Sequence, residues 1–230
     1  MKSKFIKKKN IILLGGPTAS GKSRLALDLA EKIQGEIINA DSMQVYKNFP
    51  ILTSQPTIKD KKNIKHHLYG YYKTNKNYNG SIWLKDSSEI IQKLISTKKV
   101  PIVVGGTGLY LEFISQGMSQ IPKISINTKN FVNKLIKDDS LENLNKLLNE
   151  IDPIYYKKIH INDKVRLIRA LEVYFETKKN ITYFHEKKNK KNSCNFFKIL
   201  LLPHKDKIVK DIKKILEEML GEGLIQEFRK

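Results

Sequence analysis

Gly16-Pro17-Thr18-Ala19-Ser20-Gly21-Lys22-Ser23 satisfies the pattern G-x-x-x-x-G-K-[ST], and it lies between an apolar run, Asn10 to Leu14, and a helical pattern, Ser23 to Ile33. No other feature constrains the fold as strongly. Glycines in such a loop let backbone N–H groups close around phosphate oxygens, and the helix N-terminus that follows adds partial positive charge. Lys22 can neutralise terminal phosphates, and the Ser23 hydroxyl can ligate a Mg²⁺ ion that bridges them. The loop therefore predicts a phosphate chain bound with Mg²⁺ at residues 16–23. It does not say which phosphate compound.

The rest of the chain supplies the frame. Asn10 to Leu14 reads as a buried strand, and Leu25, Ala26, Leu29, Ala30 and Ile33 share one helix face, with Gly35 as the expected C-cap. Glu36 to Ala40 is a second strand ending at Asp41. Gly80 to Lys99 is a helical pattern, and Val100 to Val104 is a third strand that empties into Gly105-Gly106-Thr107-Gly108. Strands alternating with helices predict a parallel α/β sheet, whose ligands gather at the carboxyl ends of the strands. Three turns are thus expected to converge on one site.

From about Asn127 the texture changes. Phe131, Leu135, Leu141, Leu144, Leu148 and Ile151 recur at helical spacing, and Val165 to Phe175 continues the pattern. Phe196 to Leu202 restores a strand and Lys205 to Leu220 a helix, after a polar loop over Lys187 to Asn195; Leu224 to Lys230 is again helical in pattern. The expected fold class is α/β: a P-loop NTPase-like parallel sheet flanked by helices, with a mainly helical insertion. Residues 1–120 form the first part of the core, 121–190 the insertion and 191–230 the return to the core.

Composition narrows the class of protein. The 230 residues are 40% hydrophobic and 29% charged, enough to bury a core, and no apolar run is long enough to span a membrane. A single cysteine, Cys194, excludes a disulfide scaffold and a Cys-based zinc site, so a reducing, cytoplasmic compartment is expected. Lys and Arg number 43 against 23 Asp and Glu, a formal charge of +20. That excess suits a polyanionic partner, but only four of the basic residues are arginine, and such a lysine bias also follows from an AT-rich genome.

Other candidates have two readings each. Asp41-Ser42-Met43-Gln44 follows the second strand, so Asp41 is either a Mg²⁺ ligand or general base, or the cap of its own turn. Gly105 to Gly108 lacks the acid that a P-loop ATPase usually carries there; Thr107 offers a hydroxyl instead. His66 and His67 are adjacent, face opposite ways in a strand, and suit a structural or substrate-lining role better than a metal. Arg166 and Arg169 lie three apart on one helix face, suited to two phosphates or to a salt-bridged surface with Glu172.

Together these segments resemble the tRNA dimethylallyltransferases, or isopentenyl-tRNA transferases. The matches are GGPTASGKS (Gly15 to Ser23), INADSMQVY (Ile38 to Tyr46), HHL (His66 to Leu68), GGTGLY (Gly105 to Tyr110) and NDKVRLIRALEVY (Asn162 to Tyr174). The resemblance implies transfer of a dimethylallyl group from dimethylallyl diphosphate to the N6 amine of adenosine 37, beside the anticodon, in tRNAs reading codons that start with U. It gives the donor's diphosphate to Gly16, Pro17, Thr18, Ala19, Ser20, Gly21, Lys22 and Ser23, makes Asp41 the general base, and lets Thr107 orient donor and acceptor. Asp41, Ser42, Met43 and Gln44 would touch the target nucleotide, and Lys129, Val165, Arg166, Leu167, Ile168 and Arg169 the tRNA. A monomer with no membrane partner is expected. Met43 stands where the family more often has Arg, and Gln55 replaces a frequent Lys. The family normally continues beyond Lys230, so a fragment or a shortened member is expected. The residues alone also leave open a small-molecule kinase with an inserted lid and a non-catalytic RNA-binding module.

Overall fold

The structure is a computed structural model that describes residues 9–74, 76–187 and 194–229. The chain divides into two compact units, Met1–Gln116 with Lys191–Lys230, and Gly117–Lys190. The first unit contains β1 (Asn10–Gly15), α1 (Lys22–Ile33), β2 (Gly35–Asn39), α2 (Ile58–Lys61), β3 (His66–His67), α3 (Gly80–Ser96), β4 (Val100–Gly105) and α4 (Gly108–Gln116). The second holds α5 (Ile126–Asp138), α6 (Leu141–Ile151), α7 (Pro153–Tyr156), α8 (Lys164–Thr177) and α9 (Ile181–Glu186). The first unit resumes with β5 (Asn195–Leu200), α10 (Lys205–Gly221) and α11 (Leu224–Phe228).

The five strands pair in parallel in the order β3-β2-β4-β1-β5. β1 and β4 are buried along their whole length, as their unbroken apolar sequences require in a sheet covered on both faces. The two-residue period divides the core. Ile11, Leu13, Ile38 and Val103 pack with Trp83, Ile91 and Leu94 of α3 and with Tyr110 and Ile114 of α4. Ile12, Leu14, Ile37, Ile102 and Val104 pack on the other face with Ala26 and Ala30 of α1. Trp83 is fully buried and stacks on Tyr110 at 4.4 Å between centroids, so Trp83→Ala would cost about 3–5 kcal/mol.

Two helix ends differ from the expectation. Gln34, not Gly35, takes the left-handed cap of α1 (φ 55°), because Gly35 already belongs to β2, where a Cβ would come within 2.7 Å of Ile102 Cδ1. α3 stops at Ser96, before Lys99. There Lys98 (φ 58°) reverses the chain, its N–H donating to Ile95 O at 3.1 Å and that of Lys99 to Leu94 O at 2.8 Å, with lysine where glycine is usual.

The helical unit closes on its own core, with Val132, Leu144, Leu148, Leu167, Leu171 and Val173 at its centre. Buried Asp152 accepts from Tyr155 N at 3.0 Å, Thr182 Oγ1 at 2.8 Å and Thr182 N at 2.9 Å, tying α7 to α9. Within the expected polar loop, residues 188–193 lie outside the described ones. β5 is the open edge of the sheet, and α10 buries none of its residues. No helix among the described residues is long and apolar enough to cross a membrane.

Candidate active site

Topology fixes where a ligand sits. After β1 the chain moves towards β2, and after β4 it returns to β5 on the far side, so strand order reverses between the neighbours β1 and β4. The crevice at their carboxyl ends is the natural binding place. Residues 16–23 leave β1 there, residues 105–108 leave β4, and Asp41 follows β2 beside β4.

The last two turns are stitched together by backbone contact. A Cβ on Gly105 would fall 2.0 Å from Ala40 O, so only glycine allows β2 and β4 to close here. Ala40 N donates to Val104 O at 2.7 Å, and Thr107 N to Ala40 O at 3.1 Å. The Thr107 hydroxyl then accepts from Ser42 N at 3.0 Å and donates to Ser42 Oγ at 3.4 Å. Thr107 therefore orients the Asp41 to Gln44 turn directly.

Of the two readings of Asp41, the cap is seen directly. Its Oδ1 accepts from Met43 N at 2.9 Å and caps the turn. Its Oδ2 lies beside Gly106: a Cβ added there would be 3.5 Å from Asp41 Oδ2 and 3.7 Å from Gly16 O, so the carboxylate and the start of the glycine loop flank the same glycine. Buried Asn39 positions the aspartate and also receives the Trp83 indole N–H on its carbonyl at 2.7 Å. Asn39 had no role assigned by the sequence; a polar residue inside an apolar strand was the signal, because such a group must be hydrogen-bonded.

Within the cradle, Lys22 Nζ donates to Pro17 O at 2.9 Å. Burial lowers the Lys22 pKa from its ordinary value, while attraction to Asp41 works in the opposite direction. Ser20 Oγ is buried and has no hydrogen-bond partner among the described residues, which suits a donor awaiting a phosphate oxygen. Gly21 (φ 81°) starts α1 without a side-chain cap, leaving the first helical N–H groups open to an anion. Thr18, Gly21 and Ser23 are exposed, and Pro17, Ala19 and Lys22 half-buried. Among the described residues no group of three His, Cys, Asp or Glu could hold a metal.

Several phenols lie after the Asp41 turn in the same unit. Tyr46, Tyr72 and Tyr78 meet edge to face, with Tyr72 and Tyr78 at 4.7 Å, and Tyr71 donates to Asp86. Burial first, and then the nearby Asp41 charge, raise the Tyr69 pKa; burial followed by Tyr46 and Asp41 raises that of Tyr110, so both stay protonated at neutral pH. This cluster was not foreseen, since its members are spread from position 46 to 110. His66 and His67 are structural: His66 Nδ1 bonds Ile64 O at 2.9 Å, and His67 Nε2 bonds buried Glu36 at 2.6 Å.

In the helical unit, the residues expected at tRNA separate by helical period. Val165 is 78% exposed and Arg166 is exposed; Ile168 and Arg169 are half-buried. Leu167 is a correction: at 1% exposure it belongs to the helical core and offers no surface to a nucleic acid. Arg166 pairs with Asp163 at 3.1 Å and Arg169 with Glu172 at 3.4 Å. Lys129 is exposed on α5.

Fold and crevice together define a P-loop-like protein of the α/β class. Comparison with known proteins narrows this. The sequence profile of the IPP transferase family matches residues 44–230. A tRNA dimethylallyltransferase of Pelagibacter ubique (strain HTCC1062) is 40% identical over 227 residues, 97% of this chain and 72% of that protein. The chain belongs to the IPP transferase family. A crystal structure of a eukaryotic dimethylallyltransferase acting on tRNA superposes with a TM-score of 0.82 at 27% identity, covering 96% of this chain and 55% of that one. A tRNA delta(2)-isopentenylpyrophosphate transferase of Staphylococcus epidermidis gives 0.62 at 30% identity, covering 96% and 72%. The chain thus spans a little over half of the eukaryotic protein. The profile begins after the glycine loop and Asp41, which lie within the 97% shared with the Pelagibacter relative.

Proposed function

We propose that this chain transfers a dimethylallyl group from dimethylallyl diphosphate to the exocyclic N6 amine of adenosine 37, 3′ to the anticodon, in tRNAs reading codons that start with U. One observation carries the reading: Asp41 Oδ2 and Gly16 O, at the start of the glycine loop, flank the same Gly106, and the Asp41 charge is felt by Lys22 of that loop. A carboxylate beside a phosphate cradle suits a reaction in which a diphosphate leaves as an amine arrives.

The steps follow from the residues. The bond from the allylic carbon to the diphosphate oxygen breaks, and its electron pair leaves on the diphosphate. Lys22, the Ser20 hydroxyl and the open N–H groups at the start of α1 meet that growing charge. The N6 nitrogen forms the new C–N bond, and its proton passes to Asp41 Oδ2. Thr107 keeps the Asp41 turn in register through Ser42, while Ser42, Met43 and Gln44 present donors and acceptors to the base. Mg²⁺, held by phosphate oxygens with the Ser23 hydroxyl, would supply further charge neutralisation; one protein ligand beside substrate phosphates is usual for this ion.

A purine reaches such a pocket by leaving its stack, which costs least in a single-stranded loop. Arg166, Arg169, Lys129, Val165 and Ile168 are the proposed tRNA contacts, with the charge of +20 adding salt-sensitive attraction. A reducing cytoplasm suits the lone Cys194. The test is incubation with labelled dimethylallyl diphosphate and unmodified tRNA. Label should enter the RNA at the adenosine next to the anticodon, and excess ATP should compete weakly. No incorporation, or phosphate transfer from ATP to a small acceptor, would overturn the proposal.

A further inference from the structure

Gln44 sits three residues after Asp41, and its side chain is held from an unexpected quarter. Gln44 Nε2 donates to Thr53 O and Ser54 O, both at 2.8 Å, so both amide hydrogens are committed and Oε1 is the group left to meet a ligand. Those two carbonyls belong to a tight turn, in which Thr53 N donates to Phe49 O at 3.2 Å, Ser54 N to Ile51 O at 2.9 Å and Gln55 N to Pro50 O at 2.9 Å. Leu52 is 45% exposed, and within the segment Thr53 Oγ1 donates to Phe49 O at 2.6 Å and Gln55 Nε2 to Tyr46 O at 2.8 Å.

A further hold comes from the far end of the sequence. The Glu227 carboxylate on α11 accepts from Ile51 N through Oε2 and from Leu52 N through Oε1, each at 2.8 Å, across 176 and 175 residues. Two adjacent N–H groups on one carboxylate form a charge-assisted, two-point clamp. α11 is itself set by Gly223, in the left-handed conformation at φ 99°, and by buried Leu224.

We infer that Glu227 is a positioning residue for the acceptor base, acting through residues 51–54 on Gln44. The inference rests on the proposed prenyl transfer. With its nitrogen tied to the turn, Gln44 offers Oε1 to one N6 hydrogen of the adenine while Asp41 takes the other. A guanine presents a carbonyl at that place and is refused by the same oxygen. Glu227 thereby sets the orientation on which selection of an amino-purine depends.

The test uses the full chain and two readouts. In transfer assays, Glu227→Gln should raise KM for an unmodified anticodon stem-loop about tenfold while KM for dimethylallyl diphosphate changes less than about twofold. Glu227→Asp should recover part of the loss. In a double-mutant cycle, Gln44→Ala with Glu227→Gln should be little worse than Gln44→Ala alone, because both break one relay. Additive losses, or equal rises in both KM values, would overturn the inference. Hydrogen exchange by mass spectrometry reads the same relay without activity. Glu227→Gln should speed exchange in residues 49–55 and also in the 41–46 turn; faster exchange in the first alone would overturn it. A wild-type chain that transfers nothing would sink the proposed function, and the exchange result would still decide the relay.

Discussion

Asn39 and Asp41 hold each other from both sides: Asn39 Oδ1 accepts from Asp41 N at 2.8 Å, and Asn39 Nδ2 donates to Asp41 O at 3.0 Å. The same Nδ2 donates to Leu68 O at 3.0 Å. Asn39→Ala should lower unfolding free energy by about 2–4 kcal/mol, because buried partners lose their bonds. Asn39→Asp should be at least as harmful at neutral pH, since a carboxylate would face two carbonyls. Urea unfolding of both variants checks this, and an aspartate variant as stable as wild type would refute it.

Asp41 Oδ1 caps its turn, and the proposed function gives Oδ2 the proton, so substitutions can separate the two. Asparagine keeps an oxygen acceptor for Met43 N but cannot take a proton. Asp41→Asn should therefore reduce transfer by about 10²–10⁴-fold with near-native thermal stability. Asp41→Ala should lose comparable activity and also stability, by about 1 kcal/mol for the freed turn. Single-turnover rates and melting curves give the comparison.

Glu36 predicts an acid-dependent stability. Burial disfavours its charge, but the bonded Lys99 ammonium and His67 ring outweigh that, and its pKa falls below the ordinary value. A depressed carboxylate contributes stability that is present above the ordinary glutamate range and lost as pH falls through the lower native value. Glu36→Gln should cost about 1–3 kcal/mol at pH 7, and its stability curve should approach that of wild type in acid. Denaturant midpoints measured across pH would show parallel curves if the pair were irrelevant.

Arg166 and Arg169 lie in exposed or half-exposed ion pairs of little intrinsic worth. Replacing either by Ala should change stability by less than about 0.5 kcal/mol. If they contact phosphates, each loss should lower the slope of log K for tRNA against log salt by about 0.7–0.9. Filter binding at several salt concentrations decides it.

The parts of the site that lie close together in sequence were legible without coordinates. The glycine loop, the Asp41 turn and the Gly105 turn each follow an apolar strand, and parallel-sheet logic alone brings them to one edge. The ion pair of Arg169 was also legible, since Glu172 is a helical neighbour. What escaped depends on distant pairings or on one residue's backbone. Asn39 read as part of an apolar strand, Gln34 and Lys98 took left-handed positions where glycine would be expected, and Leu167 fell inside a matched segment whose helical period turns it inward. Glu227 and Ile51 share no local pattern at all.

The register of β1 sets an order for assembly. Asn10 pairs with Asn195, whereas Ile12 pairs with Ile102, so one side of β1 finds its neighbour only after the whole helical excursion has been made. During ribosomal synthesis the nascent sheet must wait with a raw apolar edge while roughly ninety residues emerge between β4 and β5. Contacts so distant in sequence slow folding and leave that edge open to wrong partners. Expression of this chain should accordingly be most sensitive to chaperone supply and temperature at that late stage, and lesions that weaken β5 should show themselves as aggregation sooner than as lost catalysis.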